Sequence, residues 1–141
     1  GTSLVPTMVN LENFPMFADA GEAKFPKYAA HIRALHARRF ETIGKAVDAG
    51  VPVYAGTDAG GVHGHGLIAT EIELLARVGG NDFALGAAGW NARSWLGHPG
   101  IEEGAPADLV VFDEDPRVTI SVVRRPALII LNGRVVGGSA C

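Results

Sequence analysis

Val51-Pro52-Val53-Tyr54-Ala55-Gly56-Thr57-Asp58-Ala59-Gly60-Gly61 passes from an apolar run into a glycine-rich one, with an aspartate at the junction. The run Val51 to Thr57 is apolar on both parities and directly follows a helical pattern, which predicts a parallel strand covered on both faces. Asp58 stands at the carboxyl end of that strand. In open α/β sheets and in barrels, ligands sit at the carboxyl ends of parallel strands, so a carboxylate placed there faces a site. An N-cap or turn aspartate is the plain alternative, and the surrounding sequence has to separate the two.

Upstream, Lys27 to Ala49 carries Tyr28, Ile32, Leu35, Phe40, Ile43 and Val47 mostly at three- and four-residue steps, with Arg33, Arg38, Glu41, Lys45 and Asp48 between them. That spacing predicts one amphipathic helix ended by Gly50. Before it, Ser3 to Val9 reads as a short buried strand, and Asn10 to Pro26 as a long loop or broken helix. Downstream of the glycine-rich segment, Leu67 to Val78 predicts a helix with Ile68, Ile72, Leu75 and Ala76 on its inner face, closed by Gly79-Gly80. Asn81 or Asp82 caps a further helix to about Leu96, with Phe83, Ala87, Trp90 and Trp95 turned inward. The pattern then changes. Beyond the turn-rich Gly97 to Gly104, Asp108 to Phe112, Val118 to Val123 and Ala127 to Leu131 read as short strands, and Asn132-Gly133 makes a tight hairpin into Arg134-Val135-Val136. The chain is therefore α/β, divided near Gly97 into residues 1–97 and 98–141.

Composition narrows the function classes. In 141 residues, 12 Lys plus Arg stand against 15 Asp plus Glu, a net charge of −3, which argues against nucleic acid as a partner. With 48% apolar and 19% charged residues, the chain has material for a packed core. No apolar run approaches the roughly 18 residues that cross a bilayer, Gly1-Thr2-Ser3 lacks a signal-peptide layout, and the one cysteine is Cys141, so a cytoplasmic setting without membrane contact is expected. A complete eightfold barrel, typically about 250 residues, exceeds this length.

Among candidate chemistry, His63-Gly64-His65 has the alternation that lets two imidazoles grip one cation in an extended segment. Four neighbouring glycines favour instead a mobile loop that contacts substrate or is simply solvated, because flexible loops preorganise metal poorly. The glycines lack the order of a phosphate-binding loop. His31, His36 and His98 read as structural or exposed, and the two tryptophans as core.

Taken in order, Gly56 to Gly61 (GTDAGG), His65-Gly66, Glu71 to Leu75 (EIELL), Asn91 to Gly97 (NARSWLG), Gly100 to Pro116 (GIEEGAPADLVVFDEDP) and Ile130 to Val136 (ILNGRVV) resemble the C-terminal part of the metal-dependent amidohydrolase superfamily, nearest to imidazolonepropionase-like and prolidase-like members. Six motifs in register make the resemblance specific, and Leu4 to Val9 fits a preceding barrel strand. The resemblance implies about strands 7 and 8 of a TIM-type (β/α)8 barrel in residues 1–97. It further implies antiparallel strands of a small composite β-sandwich in residues 98–141. It carries a role onto Asp58 alone, as metal-site ligand and as the base that takes a proton from the activated water. His63 and His65 stand after that aspartate and are assigned to substrate contact. The family's other metal ligands have no counterparts in this sequence.

The expected protein is thus a piece of a longer hydrolase of carbon–nitrogen bonds, acting on a small cyclic or linear amide or a dipeptide-like substrate. A divalent metal, zinc first, belongs to the complete enzyme and need not be held by this piece. The missing N-terminal half of the barrel is its expected partner, alongside self-association. Two alternatives stay open: a noncatalytic structural or oligomerisation module, and a small metal-binding protein using Asp58, His63 and His65.

Overall fold

A computed structural model describes residues 2–139; Gly1, Ala140 and Cys141 lie outside the described residues. Among the described residues seven helices come first: α1 (Met8–Leu11), α2 (Phe14–Gly21), α3 (Pro26–Ala37), α4 (Arg39–Asp48), α5 (Ile68–Gly79), α6 (Asn81–Ala88) and α7 (Trp90–Trp95). Three strands follow, β1 (Leu109–Val111), β2 (Leu128–Leu131) and β3 (Arg134–Gly137), with a 3-10 turn at Ile120–Arg124 between the first two.

The predicted strands at residues 3–9 and 51–57 meet, in parallel, but as a single bridge between Leu4 and Val53. The reason is covalent. Leu4 N–H donates to the Pro52 carbonyl at 2.8 Å and Tyr54 N–H to the Leu4 carbonyl at 3.0 Å. The next rung in one direction needs an N–H from Pro6, and in the other an N–H from Pro52, which neither proline has. Beyond the bridge the first segment turns at Thr7, whose φ is 45°, into α1, so Met8 and Val9 are helical rather than extended. Past Val53, Ala55 N–H donates to the Ala87 carbonyl at 3.0 Å, tying the segment to the end of α6.

The long helix expected over residues 27–49 is two helices, broken at Arg38 (φ −99°, ψ 5°). Gly50, with φ 77°, closes α4 in the left-handed conformation that glycine adopts without steric penalty. Asn10 to Pro26 is a broken helix, as one of its two readings had it. Arg33 on α3 pairs with Asp19 and Glu22 at the end of α2, at 2.6 and 2.8 Å, which fixes the angle between those helices.

The helix expected to run from Asn81 to Leu96 is also divided, at Gly89, and no side-chain cap forms at its start. Asn81 reaches instead across to the Arg117 carbonyl at 2.8 Å. Trp90 and Trp95 are not core residues: they are 54% and 56% exposed, and Trp95 lies stacked on Tyr54 with ring centroids 4.8 Å apart. Ile68, placed inward by its spacing, is exposed as well. The core is built by Met8, Val9, Ile43, Val53, Leu74, Leu75, Ala84 and Ala87, so α1, α4, α5 and α6 pack around the Val53 segment.

The C-terminal strands pair antiparallel as predicted and take the order β1-β2-β3, with Leu109 opposite Ile130 and Leu131 opposite Arg134 across the Asn132-Gly133 turn. Asn132 takes φ 49° and Gly133 φ 73°, the two positive values that a two-residue hairpin turn requires. Val118 to Val123 is not a strand. Its second half winds into the 3-10 turn against α5, where Arg124 holds Glu73 through two hydrogen bonds and also reaches the Thr70 hydroxyl at 3.3 Å. No described helix is long and apolar enough to cross a membrane.

Candidate functional site

Gly56 sits where a side chain could not: a Cβ there would lie 2.5 Å from Cγ1 of Val5. Its absence lets the 53–57 segment run close alongside residues 4–7 and brings the chain to Asp58, next to the first turn of α1. Asp58 leaves the segment with φ 49°, a conformation aspartate tolerates better than most side chains. Its carboxylate is exposed, and Oδ2 accepts a hydrogen bond from Nδ2 of Asn10 at 3.4 Å.

Asn10 in turn accepts on Oδ1 from Nδ2 of Asn13 at 3.3 Å, and the same Asn13 amide lies 2.8 Å from Nε2 of His63. Asp58 and His63 are therefore the two ends of one chain of side-chain hydrogen bonds, running through two asparagines three residues apart. The loop bearing His63 is held by its backbone too. Gly60 N–H donates to the His63 carbonyl at 3.0 Å, and Ala59 bridges His63 in parallel. His63 is half-buried; His65 is exposed and stands outside the hydrogen-bond chain.

The platform beneath this arrangement is Glu71, a charged residue with 0% of its surface exposed. From the first turn of α5 its Oε1 accepts from Met8 N–H at 2.9 Å and its Oε2 from Val9 N–H at 2.7 Å. Two of the free amides at the start of α1 are thereby satisfied by one carboxylate, a cap supplied from another helix. Burial pushes the Glu71 carboxyl above its ordinary value; the amides of Val9 and Met8 oppose that shift, and the negative charge of Asp58 adds to it.

Neither Asn10, Asn13 nor Glu71 was singled out for the site by sequence reasoning. Glu71 was noticed only within the EIELL run. A signal for the asparagines existed in the Asn-x-x-Asn spacing at a helix end, but nothing local states what they would face 48 and 50 residues away.

A zinc ion takes about three or four protein ligands in fixed geometry. Among the described residues no three His, Cys, Asp or Glu side chains converge on one point. Asp58 offers one oxygen, while Nε2 of His63 is engaged by Asn13. The described residues by themselves do not fit a resident metal ion. What they offer is one exposed carboxylate, oriented by an amide and linked through two asparagines to an imidazole. A cleft of about 940 Å³ between α6, α7 and the strands lies elsewhere; its lining includes apolar groups such as Trp90, Phe112 and Ile130 as well as Arg93 and Asp108, and includes neither Asp58 nor the loop histidines.

No protein-family model matches the chain. It is 53% identical over 138 residues to uncharacterized proteins of Mycobacterium tuberculosis and Mycobacterium bovis, an alignment that covers 97% of this chain and 37% of theirs. The chain thus spans little more than a third of the curated relatives it matches. Among solved structures it resembles a Xaa-Pro dipeptidase with methionine bound in its active site (TM-score 0.79, 27% identity, 98% of this chain and 35% of that one). A prolidase complexed with N-methylphosphonate-L-proline gives a TM-score of 0.76 at 28% identity, over 99% and 36% of the two chains. The ochratoxinase of A. niger gives 0.74 at 26% identity, over 95% and 32%. The likeness is to hydrolases of the amidohydrolase kind, and to about a third of each.

Proposed function

We propose that this chain is the C-terminal part of a hydrolase of carbon–nitrogen bonds, acting on a dipeptide-like or other small amide, with Asp58 as its proton-transferring carboxylate. The observation that carries the reading is the likeness to a prolidase and a Xaa-Pro dipeptidase over nearly the whole chain, at 27–28% identity. The local geometry supports it. Asp58 ends a segment that pairs in parallel, as the last of the barrel strands would, and its exposed carboxylate has one oxygen held by Asn10. A carboxylate so placed takes a proton from the water that attacks the amide carbon and returns it to the nitrogen as the carbon–nitrogen bond breaks.

In this proposal His63 and His65 belong to the substrate side of the site. A divalent metal, zinc first, would polarise the amide carbonyl and activate the water, and it requires ligands from outside this chain in addition to Asp58. The partner is accordingly the remainder of the barrel, and the chain on its own associates with itself and is inactive. A noncatalytic, structural role is the second reading, favoured by the apolar side chains that the β1-β2-β3 sheet leaves exposed.

The test is Asp58→Asn in the complete protein, assayed on Xaa-Pro dipeptides. The amide keeps the shape and cannot take the proton, so turnover falls by about two to four orders of magnitude while the melting temperature stays near that of the parent. Turnover within a few-fold of the parent removes Asp58 from the mechanism; no hydrolysis of any amide by the parent itself leaves the structural reading.

A further inference from the structure

We infer that Asn13 fixes the tautomer of His63, making this histidine a hydrogen-bond donor to a substrate oxygen and not a metal ligand; the substrate part rests on the hydrolase reading above. An amide nitrogen only donates, so Nδ2 of Asn13, 2.8 Å from Nε2 of His63, requires that ring nitrogen to accept. In the neutral imidazole the proton then sits on Nδ1. Both nitrogens are spoken for: one lone pair is occupied by Asn13, and the other nitrogen carries hydrogen. A metal needs a bare ring nitrogen, whereas a carbonyl or carboxylate oxygen needs an N–H, and Nδ1–H is the polar group the ring has left.

The amide that does this is itself held. Asn13 donates its second hydrogen to Oδ1 of Asn10 at 3.3 Å, so both amide hydrogens are used and the side chain has one orientation that satisfies both acceptors. Asn10 spends its own amide on Asp58, and its helix is anchored by the buried Glu71 through Met8 and Val9. The backbone contact from Gly60 N–H to the His63 carbonyl keeps the ring in reach of Asn13 despite the glycines around it. Asn13 is a positioning residue acting through His63, and His63 with its donor suits the carboxylate or carbonyl end of a dipeptide-like substrate.

The decisive measurement is the nitrogen spectrum of the complete protein labelled with ¹⁵N-histidine, at a pH where the rings are neutral, with the His63 signals identified by their loss in His63→Ala. The expected pattern is a protonated Nδ1 coupled to an unprotonated Nε2, unchanged when zinc ions are added, and lost in favour of mixed tautomers in Asn13→Ala. A protonated Nε2 in the parent, or a His63 nitrogen that shifts as a ligand on zinc addition, overturns the inference, and neither result depends on activity. On an Xaa-Pro dipeptide, Asn13→Ala raises KM about fivefold, the worth of one neutral hydrogen bond, with little change in kcat, and adds nothing further in a His63→Ala background. Additive losses in that double variant show that Asn13 does not act through His63. Absence of any amide hydrolysis would sink the hydrolase reading and leave the ring spectrum to judge the tautomer.

Discussion

Residues 2–97 enclose their own core, whereas residues 98–139 form a sheet that faces outward with side chains normally found inside. In the first region Met8 and Leu75 are completely buried and a charged side chain, Glu71, is buried with them. In the second, Val110, Leu131, Val135 and Val136 are each more than half exposed. The two are nonetheless linked by specific polar ties. Arg124 pairs with Glu73 of α5, and Arg93 of α7 with Asp108 at 3.3 Å, while Asp108 also accepts from Asn132 N–H at 2.8 Å and so holds the hairpin turn. Hydrophobic packing defines the first region; hairpin chemistry and ion pairs define the second. The β2–β3 hairpin forms because its turn is locally specified, without a deep core to demand it.

Core truncation separates the regions most strongly. Leu75→Ala should destabilise the chain by about 2–5 kcal/mol, read as a lowered denaturation midpoint, and a loss below 1 kcal/mol would mean that the helical region is not the stabilising one. Comparable in size is Glu71→Ala, which leaves the Met8 and Val9 amides without acceptors at a cost of about 1–3 kcal/mol each. Hydrogen exchange at Met8 and Val9 should accelerate ahead of exchange in the β2–β3 hairpin; equal acceleration in both would show that Glu71 supports the whole fold instead of α1.

The two regions should also respond to pH with opposite signs. The Glu71 carboxyl is raised by burial, so the folded chain keeps its proton longer than the unfolded one, and stability falls as pH rises from the ordinary carboxyl range through the raised value. The Asp108 carboxyl is lowered, first by the Asn132 amide and then by Arg93, so its contribution is present above the ordinary value and is lost as pH falls through the lowered one. Denaturation midpoints measured from about pH 3 to about pH 7 should therefore lose a declining component in Glu71→Gln and an acid-side loss in Asp108→Asn. The same sign of change in both variants breaks the contrast. Smallest of all, Val136→Thr on the exposed sheet should change stability by no more than about 0.5 kcal/mol; a large loss would mean that the sheet has a covering partner under the conditions of measurement.

The sequence made legible what is decided by near neighbours. Asn132-Gly133 dictates its hairpin through backbone preference alone, Gly50 and Gly80 stop helices, and the position of Asp58 after an apolar run marks it before any contact is known. It misled where distant partners decide. Val118 to Val123 has the β-branched residues of a strand, yet its end is wound by the anchoring of Arg124 on α5. Trp90 and Trp95 have core chemistry and helical spacing, but the break at Gly89 turns them out. At the site, Glu71 carries no sequence signal of its role, because the partners of its carboxylate, two backbone amides, have no letter in a sequence. Asn10 and Asn13 likewise gain their meaning only when the chain brings Asp58 and His63 to them.

Pro6 and Pro52, which confine the Leu4–Val53 bridge to one rung, have a further effect on any state in which the chain is partly open. Unpaired strands are templates on which another chain can add itself rung by rung, the first step of aggregation. Here each segment lacks a donor within two residues of the bridge, so an incoming strand meets a gap where it needs a hydrogen bond. The seam that joins the two halves of the helical region is thus poorly suited to recruiting a stranger, a safeguard written into the backbone and independent of salt or pH.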